Sequence, residues 1–196
     1  MMNKTKVTGA VLAILCGFSC GVLDAAAQTR CGDLPDGDIS GHTYTNTRLG
    51  LTFDFPLSLR NDPAKRYPKS KYSRLLLVLW KTPPDLMKPS LVILADDPMQ
   101  FRDTTAVGYA HRIENTAKRY EPPAKIVESV RPYELSGQQF YRVDYEFLKP
   151  DQAYNVAVTG KIKDCEISFD FTGRTKQEVE GFVESLNTVR FNGSKP

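Results

Sequence analysis

The 196-residue chain holds only two histidines, one tryptophan and four cysteines, and its formal charges nearly cancel at +3. Each scarcity excludes something. With His42 and His111 as the whole histidine complement and no Gly-x-Ser-x-Gly elbow, the common histidine-assisted hydrolases find little to work with. The balanced charge lacks the strongly basic footprint of a nucleic-acid binder, so no nucleic-acid partner is expected. No glycine-rich phosphate loop and no closely spaced His/Cys set occurs, so neither a cofactor nor a metal is expected. Past the first 23 residues no apolar stretch approaches the roughly 20 residues that cross a bilayer, and the body reads as soluble.

What is present begins with an address. Residues 1–6 are short and basic, residues 7–23 are apolar and uncharged, and Ala25-Ala26-Ala27 offers the small side chains a signal peptidase accepts. This layout predicts a secretory signal peptide over 1–27, cleaved near Ala27, and a mature protein in the periplasm or outside the cell. Its loss would remove Lys4, Lys6 and Asp24 and leave a net charge of about +2. Cys16 and Cys20 lie within the leader, and neither follows the leucine-and-small-residue approach of a lipidated cysteine, which makes a lipoprotein the lesser reading. Cys31 and Cys165 remain. Two thiols in an oxidising compartment most often pair, which would tie the loose N-terminal segment to a late hairpin; the other reading is two free thiols.

Residues 28–42 are rich in Gly, Asp and Pro and read as an irregular lead-in. Residues 44–47 and 51–55 read as a hairpin around Leu49-Gly50, with Leu51, Phe53 and Phe55 alternating against Thr52 and Asp54. A long polar connection over 57–73 leads to two near-continuous apolar runs, 74–80 and 90–95, whose length suits buried strands. From 104 to 120 the period changes. Ala106, Ala110, Ile113, Ala117 and Tyr120 mark one face of a helix, with Thr104 or Thr105 as its cap and Pro122-Pro123 ending it. Strands then return over 125–130, 138–147, 154–163 and 165–172, three consecutive ones joined by short turns as an antiparallel meander. In the second of these, Tyr141, Val143, Tyr145 and Phe147 face one way and Arg142, Asp144 and Glu146 the other. Thr175 and Glu178 form a capping box for a helix striped by Val179, Phe182, Val183 and Leu186, and 188–191 can close the fold as a short strand. The order predicts an α+β domain, an antiparallel sheet flanked by helices.

Two stretches carry a family likeness. Residues 44–56 (YTNTRLGLTFDFP) resemble the opening of PsbP-like domains, and Ile167 to Thr172 with the capped helix through Phe191 resembles their close. The resemblance spans about residues 43–192 and implies an α/β/α sandwich in one domain. Members serve as lumenal subunits of the plant oxygen-evolving complex, as a small Ran-binding protein and as bacterial exported proteins. It therefore implies an interaction module rather than an enzyme, and it carries over no functional residue.

The strongest surface signal is the basic run Arg60, Lys65, Arg66, Lys69, Lys71 and Arg74, interleaved with Tyr67 and Tyr72. It suits an acidic protein partner or anionic headgroups at a membrane surface, against the plainer reading of a solvated loop. Asp144, Glu146, Glu166 and Asp170 could share a sheet face and hold a cation, a weaker reading than a solvated or Arg142-paired face. The expectation is a non-enzymatic exported module that binds or assembles an envelope protein complex. One alternative is a small-molecule or lipid carrier with an apolar pocket between sheet and helix; a third is a hydrolase built around His111.

Overall fold

A computed structural model of the chain describes residues 30–61, 70–82, 90–100, 105–148 and 152–192. The predicted signal peptide lies outside these residues. Eleven strands and two α-helices are described, in two antiparallel sheets.

The larger sheet contains β4 (Leu59–Asn61), β5 (Ser73–Lys81), β6 (Leu91–Asp96), β7 (Lys125–Leu135), β8 (Gln138–Phe147), β9 (Ala153–Ile162) and β10 (Cys165–Gly173), in the spatial order β4-β5-β6-β10-β9-β8-β7. The meander is as the turn spacing predicts. β7 and β8 join at Ser136-Gly137, and β9 and β10 join at Lys163-Asp164. Residues opposite one another across antiparallel strands point to the same side. The rows Phe169–Val158–Arg142 and Phe171–Val156–Asp144 therefore lie on one face, and Asp170–Ala157–Val143 on the other.

The first face is the inner one. It meets a four-stranded sheet of β1 (Asp38–Ser40), β2 (Thr43–Asn46), β3 (Leu51–Asp54) and β11 (Arg190–Phe191). The hairpin predicted at 44–55 thus pairs with the C-terminal strand rather than joining the main sheet. Leu51, Phe53 and Phe55 need an apolar surface opposite them, and Phe169 and Phe140 supply it. Phe53 packs edge-on to Phe169 at 6.0 Å between centroids, and Phe140 stacks on Phe191 at 6.0 Å. Gly160 makes room for this cluster, because a Cβ there would sit 2.6 Å from the Phe140 ring. Helix α2 (Lys176–Val183) closes the rest of the inner face with Val179, Phe182 and Val183. Its capping box forms with a difference: Thr175 Oγ1 accepts from the Glu178 N–H at 3.2 Å, while Glu178 reaches back to the Arg174 N–H at 2.8 Å.

Helix α1 (Ala106–Lys118) lies on the outer face against β7, β8 and β9, capped by Thr105. The register of its buried stripe differs from the prediction. Ala110 and Ala117 are buried, but so are Tyr109 and Glu114, while Ile113 is half-buried and Tyr120 exposed. The sheet beneath is the cause. The Tyr109 hydroxyl donates to Asp96 Oδ2 at 2.7 Å, and Glu114 accepts from the Val130 N–H at 3.2 Å and from Lys118 at 2.6 Å.

The polar lead-in and loop each hold a short strand that composition did not predict, β1 and β4. The lead-in is also a strap. Cys31 and Cys165 are joined, with 5.7 Å between their Cα atoms. Asn46 Nδ2 donates to the Pro35 carbonyl at 3.0 Å, the Tyr44 hydroxyl donates to the Asp36 carbonyl at 2.9 Å, and Asp36 forms an ion pair with Arg74. Gly32 passes so close to the chain that a Cβ would lie 2.3 Å from the Lys71 carbonyl oxygen. The strap is therefore bonded to both sheets. On the far edge, β7 departs from regular pairing with β8 between Ile126 and Glu128 and again between Glu128 and Arg131, and it carries Pro132.

Candidate functional site

The described part of the basic run is divided. Arg60 sits on β4 opposite Trp80, whereas Lys71 precedes β5 at its other end and Arg74 lies within its first turn of pairing. Six residues of strand, about 20 Å, separate Arg74 from Trp80. Arg60 is exposed, and its Nη1 donates to the Leu59 carbonyl at 3.0 Å. Lys71 is exposed, its ammonium 5.0 Å from the centre of the Tyr72 ring. Arg74 is buried and paired with Asp36. Lys65, Arg66 and Lys69 lie outside the described residues. Close to Lys71, the short turn Pro98–Gln100 is held by the Asp97 N–H donating to the Tyr72 carbonyl at 2.7 Å, and Met99 projects from it into solvent.

The four carboxylates singled out in the meander do not share a face. Asp144 and Glu146 point to the inner side, Glu166 and Asp170 to the outer, because β8 and β10 are related through β9 in the register given above. Among the described residues no group of three or more His, Cys, Asp and Glu side chains is arranged to hold a metal ion. Asp144 is fully buried and multiply bonded. Arg142 grips it through Nε at 2.8 Å and Nη2 at 2.7 Å, Arg131 donates at 3.0 Å and the Tyr154 hydroxyl at 3.0 Å. Burial alone would raise its carboxyl; the Arg142 hydrogen bonds and charge outweigh it and hold Asp144 below the usual carboxylate range. Arg142 also donates to Glu180 of α2, at 3.1 Å through Nη1, so this arginine fastens helix to sheet. Composition gave no sign of Glu180's role, since an acidic residue on a short amphipathic helix ordinarily faces water.

The outer carboxylate behaves in the opposite way. Burial pushes Asp170 up to about 6, the Ser168 hydroxyl at 2.6 Å partly opposes this, and the negative charge of Asp96 adds to it. Asp170 and Asp96 in turn help to raise Tyr109, after burial, which is the larger cause. His111 is exposed on α1, with its Nδ1 3.8 Å from Glu114 on the same helix. His42 packs its ring edge-on against Phe55 at 5.4 Å. The two histidines thus sit apart, one on the outer helix and one on the small sheet.

A cavity of about 150 Å³ lies beside the disulfide, not under α1. Two turns and the strap converge there. Among the described residues no helix is long and apolar enough to cross a membrane.

No family model and no curated protein matches the sequence. Solved structures do. The solution structure of cyanobacterial PsbP (CyanoP) from Synechocystis sp. PCC 6803 superposes with a TM-score of 0.53 and 18% identity, covering 79% of this chain and 98% of that one. The chain has a PsbP-like fold.

Proposed function

We propose that this chain is an exported, non-enzymatic module that binds to, or helps to assemble, an extracytoplasmic protein complex. The PsbP-like fold carries the reading. The Cys31–Cys165 bond supports the compartment, because such bonds persist where glutathione and thioredoxin do not reduce them, and the leader-like residues 1–27 agree with it. The Lys71 end of the basic run is the contact surface we assign, since Tyr72 and Met99 add exposed apolar area beside the positive charge.

The test is affinity capture from an envelope extract. The comparison is between the wild type and a charge-reversed variant at Arg60, Lys65, Arg66, Lys69 and Lys71. Arg74 must be left alone, since its reversal would place an unpaired negative charge against Asp36 in a buried site. A specific partner held by the wild type and lost by the variant is expected. Capture of no specific partner by either would refute the module reading. Mass spectrometry of the protein made in its own cells should find a mature start at Gln28, and an intact Met1 start would refute export.

A further inference from the structure

The cavity beside the disulfide is lined by Leu34 of the strap, Arg48 and Leu49 of the β2–β3 turn, and Lys163, Asp164 and Cys165 of the β9–β10 turn. Its floor is apolar and fixed. Leu34, Leu49 and Cys165 are all buried, and the disulfide pins the strap to the start of β10. Its rim is charged. Arg48, Lys163 and Asp164 are exposed, giving two positive charges and one negative.

Lys163 is set apart by its backbone. It adopts φ +55°, in the left-handed region where the Cβ of an L-residue is crowded and where glycine, asparagine or aspartate is the ordinary choice. A lysine there is a costly choice for a two-residue turn, and such costs concentrate where a side chain is needed in a set place. Its Nζ donates to the Arg48 carbonyl at 2.5 Å, which anchors the ammonium at the rim. An ammonium has three donors, so this bond leaves two for a ligand.

We propose that this cavity binds a single carboxylate borne on a small apolar group, the apolar group resting on Leu34 and Leu49 and the carboxylate meeting Lys163 and Arg48. The volume suits a side chain of leucine size. Asp164 keeps the net rim charge at +1, which fits a monoanion and disfavours a phosphate dianion. A peptide C-terminus and a free short-chain acid share this chemistry. The site is distinct from the Lys71 surface and stands or falls apart from the module reading.

The test is NMR titration of the oxidised protein, following the backbone amides of Leu49, Lys163 and Cys165. The probes are acetyl-alanyl-alanyl-leucine, its C-terminal amide, isocaproate and inorganic phosphate. Saturable shifts from a carboxylate, with dissociation constants in the millimolar range or below, and none from the amide, are expected. The tighter of the tripeptide and isocaproate identifies the source. Lys163→Gly separates binding from structure, because glycine relieves the backbone while removing the ammonium. It should weaken binding at least about tenfold while the melting temperature holds or rises. Arg48→Gln, in an exposed turn, should weaken binding as well. The proposal is overturned if no carboxylate saturates up to about 10 mM, if the amide or phosphate binds as well as the acid, or if Lys163→Gly binds like the wild type. A melting temperature that falls together with binding in Lys163→Gly would make the lysine structural only and would also overturn it.

Discussion

The two faces of the seven-stranded sheet are covered by different means. The inner face presents Ile93, Phe140, Val156, Val158, Ile167, Phe169 and Phe171 to a second sheet and to α2, and most of its cohesion comes from apolar area removed from water, with Arg142 between Asp144 and Glu180 fastening α2 at the β8 side. The outer face under and beside α1 sets Asp96, Asn155, Thr159, Ser168 and Asp170 among Val143 and Ala157, and the helix is bonded there by the Tyr109 hydroxyl to Asp96 and by Glu114 to the Val130 N–H. A dry interface tolerates changes of pH and loses stability when volume is removed. A hydrogen-bonded one tolerates small losses of volume and responds to protonation. The sheet is therefore robust around its aromatic cluster and conditional around Asp170.

The largest way to break the contrast is on the inner face. Phe169→Ala should cost about 3–5 kcal/mol in chemical denaturation, since it opens a cavity between Phe53 and Phe140. Replacing both Cys31 and Cys165 by serine should cost about 2–4 kcal/mol, read in the same way, because the bond closes a loop spanning 134 positions and holds the strap to both sheets. On the outer face the effects shrink. Tyr109→Phe should cost about 1–3 kcal/mol, the penalty of a buried Asp96 that has lost its donor, with little change of volume.

The smallest effect is the most diagnostic. Asp170 is raised from 3.8 to about 6 in the folded chain, so the folded state holds this proton more tightly than the unfolded one. Its contribution is fully present below the unfolded value and is lost as the pH climbs through about 6. Asp170→Asn cannot ionise and keeps an oxygen for Ser168. Its melting temperature should match the wild type near pH 4 and exceed it above about pH 7. An equal difference at both pH values would remove the conditional character assigned to the outer face.

Much of the inner face was legible in the amino-acid sequence because it follows one rule. Alternation at 51–55 and at 165–172 announced strands whose apolar residues point the same way, and the capping box at Thr175 located the start of α2. The outer face was less legible because it breaks that rule. Reading apolar as buried placed Ile113 and Tyr120 inward on α1, whereas a polar sheet surface drew in Tyr109 and Glu114. The same rule set Arg142 and Asp144 apart from the apolar row as its polar opposite. They do face away from Val143 and Tyr145, yet toward the core, where each satisfies the other. The basic run was legible as charge but not as geometry. Contiguity in sequence suggested a single patch, and strand pairing placed Arg60 and Lys71 at opposite ends of β5.

The outermost ribbon of the large sheet, β7, has a consequence for how this protein can meet others. An eleven-residue strand paired on one side only would ordinarily invite a foreign strand to extend the lattice. Here two irregularities in pairing bend that margin, and an imino acid at 132 withholds one donor from it. That edge thus terminates itself, and a partner that meets it has to use side chains and turns rather than an added strand.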